Sequence, residues 1–141
     1  MSRGVAVVVV LLGASLALLL VGCSSSDNPG ADGPADTGAV QAVDTQEFAA
    51  VVDSGAAVID VRAPEEFAAG HIEGAVNIDV NGPDFDQRIS ELDTSETYAV
   101  YCRSGNRSAV ATQLMAQQGF TSVYDLSGGI IAWEDAGLLV V

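Results

Sequence analysis

A short segment of the sequence combines one thiol with positive charge. Cys102 is followed by Arg103 and Arg107, with Gly105 between them, in a chain that has five arginines, no lysine and a formal net charge of −14. Long-range attraction of an anion to such an acidic protein is weak, so two arginines beside a cysteine favour a local binding site. The segment therefore predicts a reactive thiol next to a site for a small anion.

The residues after Cys102 are predicted to connect a strand to the first turn of a helix. The first N–H groups of a helix have no partner within the helix and carry partial positive charge. Gly105 allows a tight curl that directs several N–H groups toward one centre. Because these groups and the two nearby guanidinium groups stabilise a thiolate, Cys102 is predicted to be a nucleophile that is ionised near neutral pH.

The cysteine and histidine content narrows the chemistry. The chain has two cysteines, Cys23 and Cys102, and a single histidine, His71. A free cysteine is often only a small buried hydrophobic residue, but the arginines and the glycine around Cys102 argue against that interpretation. His71 lies in a glycine-bounded turn, where we interpret it as a structural residue that hydrogen-bonds the backbone rather than as a general base. No metal ion is expected at the site.

The elements that must position this site alternate along the chain. Strands are predicted at Gln41–Val43, Ala56–Val61, Val76–Ile78, Thr97–Tyr101 and Ser122–Leu126. Helices are predicted after Asp44 or Thr45, from Pro64 to about Ala69, at Asp84–Leu92, at Ser108–Gln118 and after Gly128-Gly129. This alternation predicts an α/β fold, with a parallel sheet covered by helices on both faces. Ligands bind such sheets at the carboxyl ends of the strands, which is where Cys102 falls.

The start of the sequence is typical of an exported protein. Arg3 precedes an apolar run from Val5 to Gly22, as in a signal peptide, although about 20 apolar residues would also span a bilayer as an uncleaved anchor. The segment Leu20–Cys23 resembles the bacterial lipobox, in which the cysteine is lipidated and becomes the mature N-terminus. Residues 1–22 are therefore predicted to be a lipoprotein signal peptide. Lipid on Cys23 would hold the protein at the extracytoplasmic face of a bacterial membrane.

The rest of the sequence divides into a tether and one domain. Residues 23–39 are mostly serine, aspartate, glycine, proline and alanine, a composition that predicts a flexible segment. Residues 40–141 have the length of one small domain. All 19 acidic residues follow Cys23, and a surface of that sign repels nucleic acid and anionic headgroups. Neither is therefore expected as a direct ligand, and the membrane contact is expected through the lipid.

Four groups of residues, in this order along the chain, resemble a single-domain rhodanese of the rhodanese-like sulfurtransferase superfamily. They are Ile59–Arg62, Glu66-Phe67 with Gly70–Ile78, Tyr101–Ser108, and Leu126–Ile130 with Trp133. Together they span nearly the whole predicted domain. The resemblance implies a three-layer α/β/α fold with a central, mostly parallel sheet.

The resemblance also implies a role for each residue of the cysteine loop. Cys102 would take sulfane sulfur from an anionic donor such as thiosulfate and pass it to cyanide or a thiol, with a transient persulfide and no other cofactor. The anion would be bound by the loop residues Arg103, Ser104, Gly105, Asn106 and Arg107. Asp60 and Arg62 would brace the loop through ion pairing and hydrogen bonds. Gly128-Gly129 and Trp133 are interpreted as packing residues.

Some alternatives stay open at the level of the sequence. Arg107 could contact the substrate or pair with an acid such as Asp60. Related phosphatases and arsenate reductases carry a loop one residue longer, so the five-residue spacing from Cys102 to Arg107 favours sulfur over a tetrahedral oxyanion. A persulfide carrier that delivers sulfur to a protein thiol, or a module that binds a partner, is the alternative from another functional class.

Overall fold

The computed structural model describes residues 38–141, in which strands and helices alternate. The strands are β1 (Val40–Val43), β2 (Ala57–Asp60), β3 (Val76–Asn77), β4 (Thr97–Tyr101) and β5 (Ser122–Leu126). The helices are α1 (Thr45–Asp53), α2 (Pro64–Ala69), α3 (Phe85–Ser90), α4 (Asn106–Gln117) and α5 (Gly129–Asp135). The predicted signal peptide, the lipidation site at Cys23 and the tether up to residue 37 lie outside the described residues.

The five strands form one parallel sheet in the order β1-β5-β4-β2-β3. Strand β4 lies at the centre, with Asp60 of β2 in register with Tyr101 and Asp125 of β5 in register with Val100. The predicted α/β fold with a parallel central sheet is therefore confirmed. Because all strands run in the same direction, their carboxyl ends meet at one edge of the sheet, and Cys102 follows β4 at that edge.

Each face of the sheet is covered by a separate apolar cluster. On one face, Val100 of β4 and Cys102, which follows β4, join a cluster with α3 and α4 that includes Ile89 and Met115. On the other face, Tyr101 packs with residues of α1 and α5 in a second cluster. Successive side chains of a strand point to opposite faces, so the position of Cys102 in the chain places its thiol on the α4 side.

Local signals explain where the helices begin. Asp44 caps α1, and its Oδ1 accepts a hydrogen bond of 2.9 Å from the Glu47 N–H, as the sequence predicted. Helix α4 begins at Asn106, two residues before the predicted start, because Gly105 adopts the left-handed conformation with φ of +102° and serves as the N-cap. The last residues of the predicted cysteine loop therefore belong to the first turn of α4.

Three predicted elements are longer than the elements of the structure. The strands predicted at Ala56–Val61 and Val76–Ile78 are confined to β2 and β3, and the helix predicted at Asp84–Leu92 is confined to α3. Asp84 and Glu91 are the caps of α3 rather than residues within it. Between residues 38 and 141, no helix has both the length and the apolar character needed to cross a membrane.

Candidate active site

The thiol of Cys102 is buried beneath a short backbone loop. Only 1 % of the residue is exposed, and its Sγ accepts a hydrogen bond of 3.1 Å from the N–H of Gly105. The positive φ of Gly105 turns this N–H back toward the strand end from which the cysteine projects. The thiol and the start of α4 therefore form one unit, as the sequence predicted for an anion-stabilising nest.

Two opposing influences set the pKa of the Cys102 thiol. Burial favours the neutral thiol, but hydrogen bonds from the hydroxyl and N–H of Ser108 and from the N–H groups of Gly105 and Ser104 favour the thiolate. The hydrogen bonds prevail, so the pKa of Cys102 is lowered from its ordinary value. The surroundings of the thiol therefore favour a nucleophile over an inert core residue.

The loop is held from behind by the start of α5. The N–H groups of Ile130 and Ile131 donate to the carbonyl oxygens of Cys102 and Arg103, at 2.9 and 3.2 Å. A Cβ on Gly129 would lie 2.4 Å from the Arg103 oxygen, so this contact needs a residue without a side chain. With its carbonyl groups bound to α5, the loop leaves its N–H groups for the thiol. Gly129 therefore supports the loop directly, a more specific role than the packing predicted for it.

Arg107 pairs with an acid, which is one of the two predicted alternatives, but the acid is Glu66 rather than Asp60. Its Nη1 and Nη2 donate to the two carboxylate oxygens of Glu66 at 2.6 and 2.8 Å. Hydrogen bonds from Arg107 lower the pKa of Glu66 to about 2. Both side chains are about one-third exposed, so this bridge joins α2 to the first turn of α4 at the surface of the site.

Asp60 and Arg62 instead pair with each other. The Arg62 Nη2 lies 2.6 Å from Asp60 Oδ2 and donates to the carbonyl oxygen of Gly70 at 2.7 Å. The guanidinium group also lies over the ring of Tyr101, 5.7 Å from its centroid. Because Tyr101 immediately precedes Cys102, the pair supports the end of β4. Its action on the cysteine loop is therefore indirect.

The other residues for which the sequence predicted a role are exposed residues of the cysteine loop and His71. Arg103, Ser104 and Asn106 are exposed, so an anion that approaches Cys102 meets their backbone and side chains first. His71 hydrogen-bonds the carbonyl oxygen of Phe67 through Nδ1 at 3.0 Å, and its ring stacks on Phe67 at 3.8 Å between centroids. Its contacts agree with the structural role predicted for it.

Comparison with known proteins decides the family. A model of the rhodanese-like domain matches residues 44–136. This chain belongs to the rhodanese-like domain family. A crystal structure of a rhodanese-related protein from Thermoplasma volcanium is similar to this rhodanese-like domain, with a TM-score of 0.64 and 31 % identity. The similarity covers 72 % of this chain and 97 % of that protein.

Several relatives of this rhodanese-like domain carry names that describe sulfur transfer. A sulfurtransferase of Allochromatium vinosum is 46 % identical over 38 % of this chain and 50 % of its own length. Thiosulfate sulfurtransferase 16 of Arabidopsis thaliana is 39 % identical over 60 % of this chain and 79 % of its own length. In the probable adenylyltransferase/sulfurtransferase MoeZ of Mycobacterium tuberculosis, 34 % identical over 73 % of this chain, the match spans 27 % of the protein. The chain thus spans half or less of two of these relatives.

Sequence reasoning missed two polar residues on the buried side of this rhodanese-like site. Ser108 is fully buried; in the sequence it was the last residue of the Tyr101–Ser108 group and the predicted start of a helix, and no role at the thiol was predicted for it. Asp125 of β5 is 7 % exposed, and burial raises its pKa to about 6, against the opposing effect of a hydrogen bond with Ser108. The available signal was an aspartate within the apolar strand Ser122–Leu126, where a charged side chain is rare unless it is paired.

Proposed function

We propose that this rhodanese-like domain is a sulfurtransferase in which Cys102 receives sulfane sulfur from a small anionic donor. The observation that carries the proposal is the surroundings of the thiol. Cys102 Sγ lies 3.1 Å from the Gly105 N–H, and hydrogen bonds from Gly105, Ser104 and Ser108 lower the pKa of the thiol. The names of the relatives support the same class of reaction.

The proposed reaction has two steps, and thiosulfate is the model donor. The Cys102 thiolate attacks the outer sulfur of thiosulfate, a sulfur–sulfur bond to the cysteine forms, and the bond between the two thiosulfate sulfurs breaks with release of sulfite. Two negative charges leave with sulfite and one stays on the persulfide. A nucleophilic acceptor such as cyanide or a thiol then attacks the terminal sulfur and regenerates the Cys102 thiolate.

The loop residues have different roles in this proposal. The N–H groups that stabilise the thiolate would also stabilise the persulfide anion, because the thiolate and the persulfide both carry their negative charge at Cys102 beside the loop. Arg103 is exposed at the entrance and would attract the anionic donor. Arg107, engaged with Glu66 on both of its terminal nitrogens, would hold the loop rather than bind the donor. No cofactor beyond the transient persulfide is required.

The closed shape of the loop favours sulfur over phosphoryl or arsenate chemistry. An N–H of the loop already contacts Cys102 Sγ, and the loop backbone is bound from behind by α5. A tetrahedral oxyanion needs a ring of donors around several oxygens, whereas a persulfide adds only one atom. The short spacing from Cys102 to Arg107 agrees with this preference.

A persulfide carrier or partner-binding module is the second candidate. It is favoured by the match to MoeZ, where a similar segment is only 27 % of a larger protein. A carrier would accept sulfur stoichiometrically and release it to a specific protein thiol, with slow turnover when thiosulfate and cyanide are supplied. Turnover with these small molecules therefore separates the two candidates.

Intact mass spectrometry of the purified chain after incubation with thiosulfate tests the proposal. We expect one added sulfur atom that cyanide removes as thiocyanate, and no stable adduct in Cys102→Ser. Cys23→Ser is the matched control, because it removes the other thiol and should leave the adduct unchanged. The absence of an adduct in the wild-type chain, or an equal adduct in Cys102→Ser, would contradict both sulfur-transfer candidates.

We also propose that the domain is lipid-anchored through Cys23 at the extracytoplasmic face of a bacterial membrane. The support is the sequence from Arg3 to Cys23 alone. In a bacterial host, Cys23→Ala should yield a form without lipid that is released or remains unprocessed. If the wild-type chain stays in the membrane uncleaved and without lipid, it has a simple apolar anchor instead.

A further inference from the structure

The hydroxyl of Ser108 lies between two acidic groups on the buried side of the cysteine loop. Ser108 is in the first turn of α4 and is fully buried. Its hydroxyl donates to the carbonyl oxygen of Gly105 at 3.1 Å. The same hydroxyl lowers the pKa of the Cys102 thiol and opposes the raised pKa of the Asp125 carboxyl. Asp125 is in register with Val100, two residues before Cys102, so both side chains point to the α4 side of the sheet. One side chain therefore connects the predicted nucleophile to an acid that the proposed reaction does not use.

Asp125 is poorly satisfied in this environment. Its Oδ1 is fully buried and has no hydrogen-bond partner within residues 38–141. Buried polar atoms without a partner are uncommon because they lose their bonds to water and gain nothing in exchange. A carboxyl group in this position is more stable with a proton, and it competes for any donor nearby. The donor that opposes the rise in its pKa is the Ser108 hydroxyl.

The neighbouring elements supply little else that could stabilise a charge on Asp125. Helix α4 turns Ser108, Ala111, Thr112 and Met115 inward, and the Thr112 hydroxyl donates to Ala109. The register partners of Asp125 are Val100 on β4 and Ala42 on β1. Arg107, the arginine of α4, is paired with Glu66. Two titratable groups share this side of the sheet with Asp125: Tyr98, whose hydroxyl donates to the carbonyl oxygen of Asp93, and Cys102.

A hydroxyl has a single proton to donate, and here three acceptors compete for it. When Asp125 is ionised, its carboxylate draws the Ser108 proton and places a second negative charge near the thiolate. When Asp125 is protonated, its own O–H can donate to the Ser108 oxygen, and the Ser108 proton is free for Cys102. The serine keeps its proton throughout, and the proton on Asp125 comes from water. The two states therefore differ by one proton and one charge on Asp125 and by the direction of the hydrogen bonds.

We propose that Asp125 is a positioning residue that sets the reactivity of the Cys102 thiol through the hydroxyl of Ser108. The inference rests on Cys102 being the reactive thiol of the proposed function. Ionisation of Asp125 makes the thiol harder to ionise, and protonation of Asp125 makes it easier. The fold places the three groups at the end of β4, on α4 and on β5, so the coupling requires the assembled sheet.

The pH dependence of Cys102 alkylation by iodoacetamide tests this coupling without any sulfur donor. The purified full chain is labelled over a range of pH, digested with trypsin, and followed through the peptide from Ile89 to Arg103, which separates Cys102 from Cys23. We expect Asp125→Asn to raise the labelling rate at neutral pH by roughly two- to tenfold. Ser108→Ala should lower the rate and remove most of the response to Asp125→Asn, leaving only the direct effect of the Asp125 charge, so that the double variant is close to Ser108→Ala.

Two matched controls separate the proposed route from general effects. Asp53→Asn makes the same change of net charge on an exposed side chain and should leave the profile unchanged. Thr112→Ala removes another buried hydroxyl one turn along α4 and should also leave it unchanged. Equal profiles for wild type and Asp125→Asn would overturn the proposal. An Asp125→Asn effect that persists in full when Ser108 is alanine would also overturn it. The same holds if thermal unfolding shows that every variant with a changed labelling rate has lost cooperative folding.

The outcome is independent of the sulfurtransferase proposal. Alkylation reports the ionisation of Cys102 whether or not thiosulfate is a substrate. A normal persulfide adduct with an Asp125-independent alkylation profile would leave the proposed function standing and remove this inference. An Asp125-dependent alkylation profile without any persulfide adduct would support this inference and contradict the proposed function.

Discussion

At the scale of single residues, the two arginines of the cysteine loop have different surroundings. Arg103 is exposed at the entrance, whereas both terminal nitrogens of Arg107 bind Glu66. A bidentate pair of this kind fixes both side chains in one geometry. Arg107 therefore joins the first turn of α4 to α2, and in the proposed function Arg103 and the backbone N–H groups supply the positive charge for the anionic donor.

Breaking the Arg107–Glu66 pair from either side should have similar effects. We expect Arg107→Gln and Glu66→Gln each to lower kcat with thiosulfate by roughly three- to tenfold, because a shifted loop misplaces the thiolate. The double variant should be little worse than either single one. A larger rise in KM for Arg107→Gln than for Glu66→Gln would show that Arg107 also binds the donor. The loss of stability should be small, about 0.5–1 kcal/mol, since both side chains are partly exposed.

At the scale of elements, the site depends on the contact between the cysteine loop and the start of α5. The first N–H groups of α5 bind the loop carbonyls, so two segments far apart in the chain form one backbone network. This arrangement requires Gly129, because the Arg103 carbonyl occupies the place of a Cβ. The second glycine-rich segment of the sequence is therefore part of the site even though it has no reactive side chain.

Gly129→Ala should damage the site and the fold together. We expect a loss of at least about 2 kcal/mol in the free energy of unfolding, because the alanine is overpacked against backbone and strained at positive φ. Gly137→Ala is the matched control: its φ of +76° is similar to the +62° of Gly129, but no atom lies within 4 Å of its added Cβ. It should lose only about 1 kcal/mol. Urea unfolding of both variants measures these losses. Equal losses in the free energy of unfolding for the two variants would contradict the prediction.

At the scale of the whole molecule, two carboxyl groups make opposite contributions to the pH dependence of stability. The pKa of Glu66 is lowered to about 2, so its contribution is present above its ordinary pKa and is lost as the pH falls toward 2. The pKa of Asp125 is raised to about 6, so folding favours its protonated form. Its contribution is complete below its ordinary pKa near 4 and is lost as the pH rises through about 6.

The difference in unfolding free energy between Asp125→Asn and wild type should therefore change with pH. We expect the variant to gain roughly 1–3 kcal/mol relative to wild type between about pH 4 and pH 7, because only wild type must ionise a buried carboxyl. Urea titrations at several pH values measure this difference, and Asp53→Asn is a control with the same change of charge. A difference that is constant over this range would contradict the raised pKa of Asp125.

Local sequence patterns were sufficient for the order of the elements and for the position of the reactive loop. The strands Thr97–Tyr101 and Ser122–Leu126 have the bounds predicted for them, because β-branched and aromatic residues between turn residues are a local signal. The start of α4 was predicted two residues late, since only the left-handed conformation of Gly105 shows where the helix begins. The family also follows from the order of short motifs along the chain.

The sequence alone therefore determined the α/β fold, the place of Cys102 at a strand end and the family to which the chain belongs. Only the tertiary structure decided which side chains meet. Arg107 pairs with Glu66, 41 positions away, Gly129 lies against the cysteine loop, and the Ser108 hydroxyl affects the pKa of both Cys102 and Asp125. Periodicity and turn residues report on neighbours in the chain, whereas these contacts depend on the register of β4 with β5 and on how α2, α4 and α5 pack at the sheet edge.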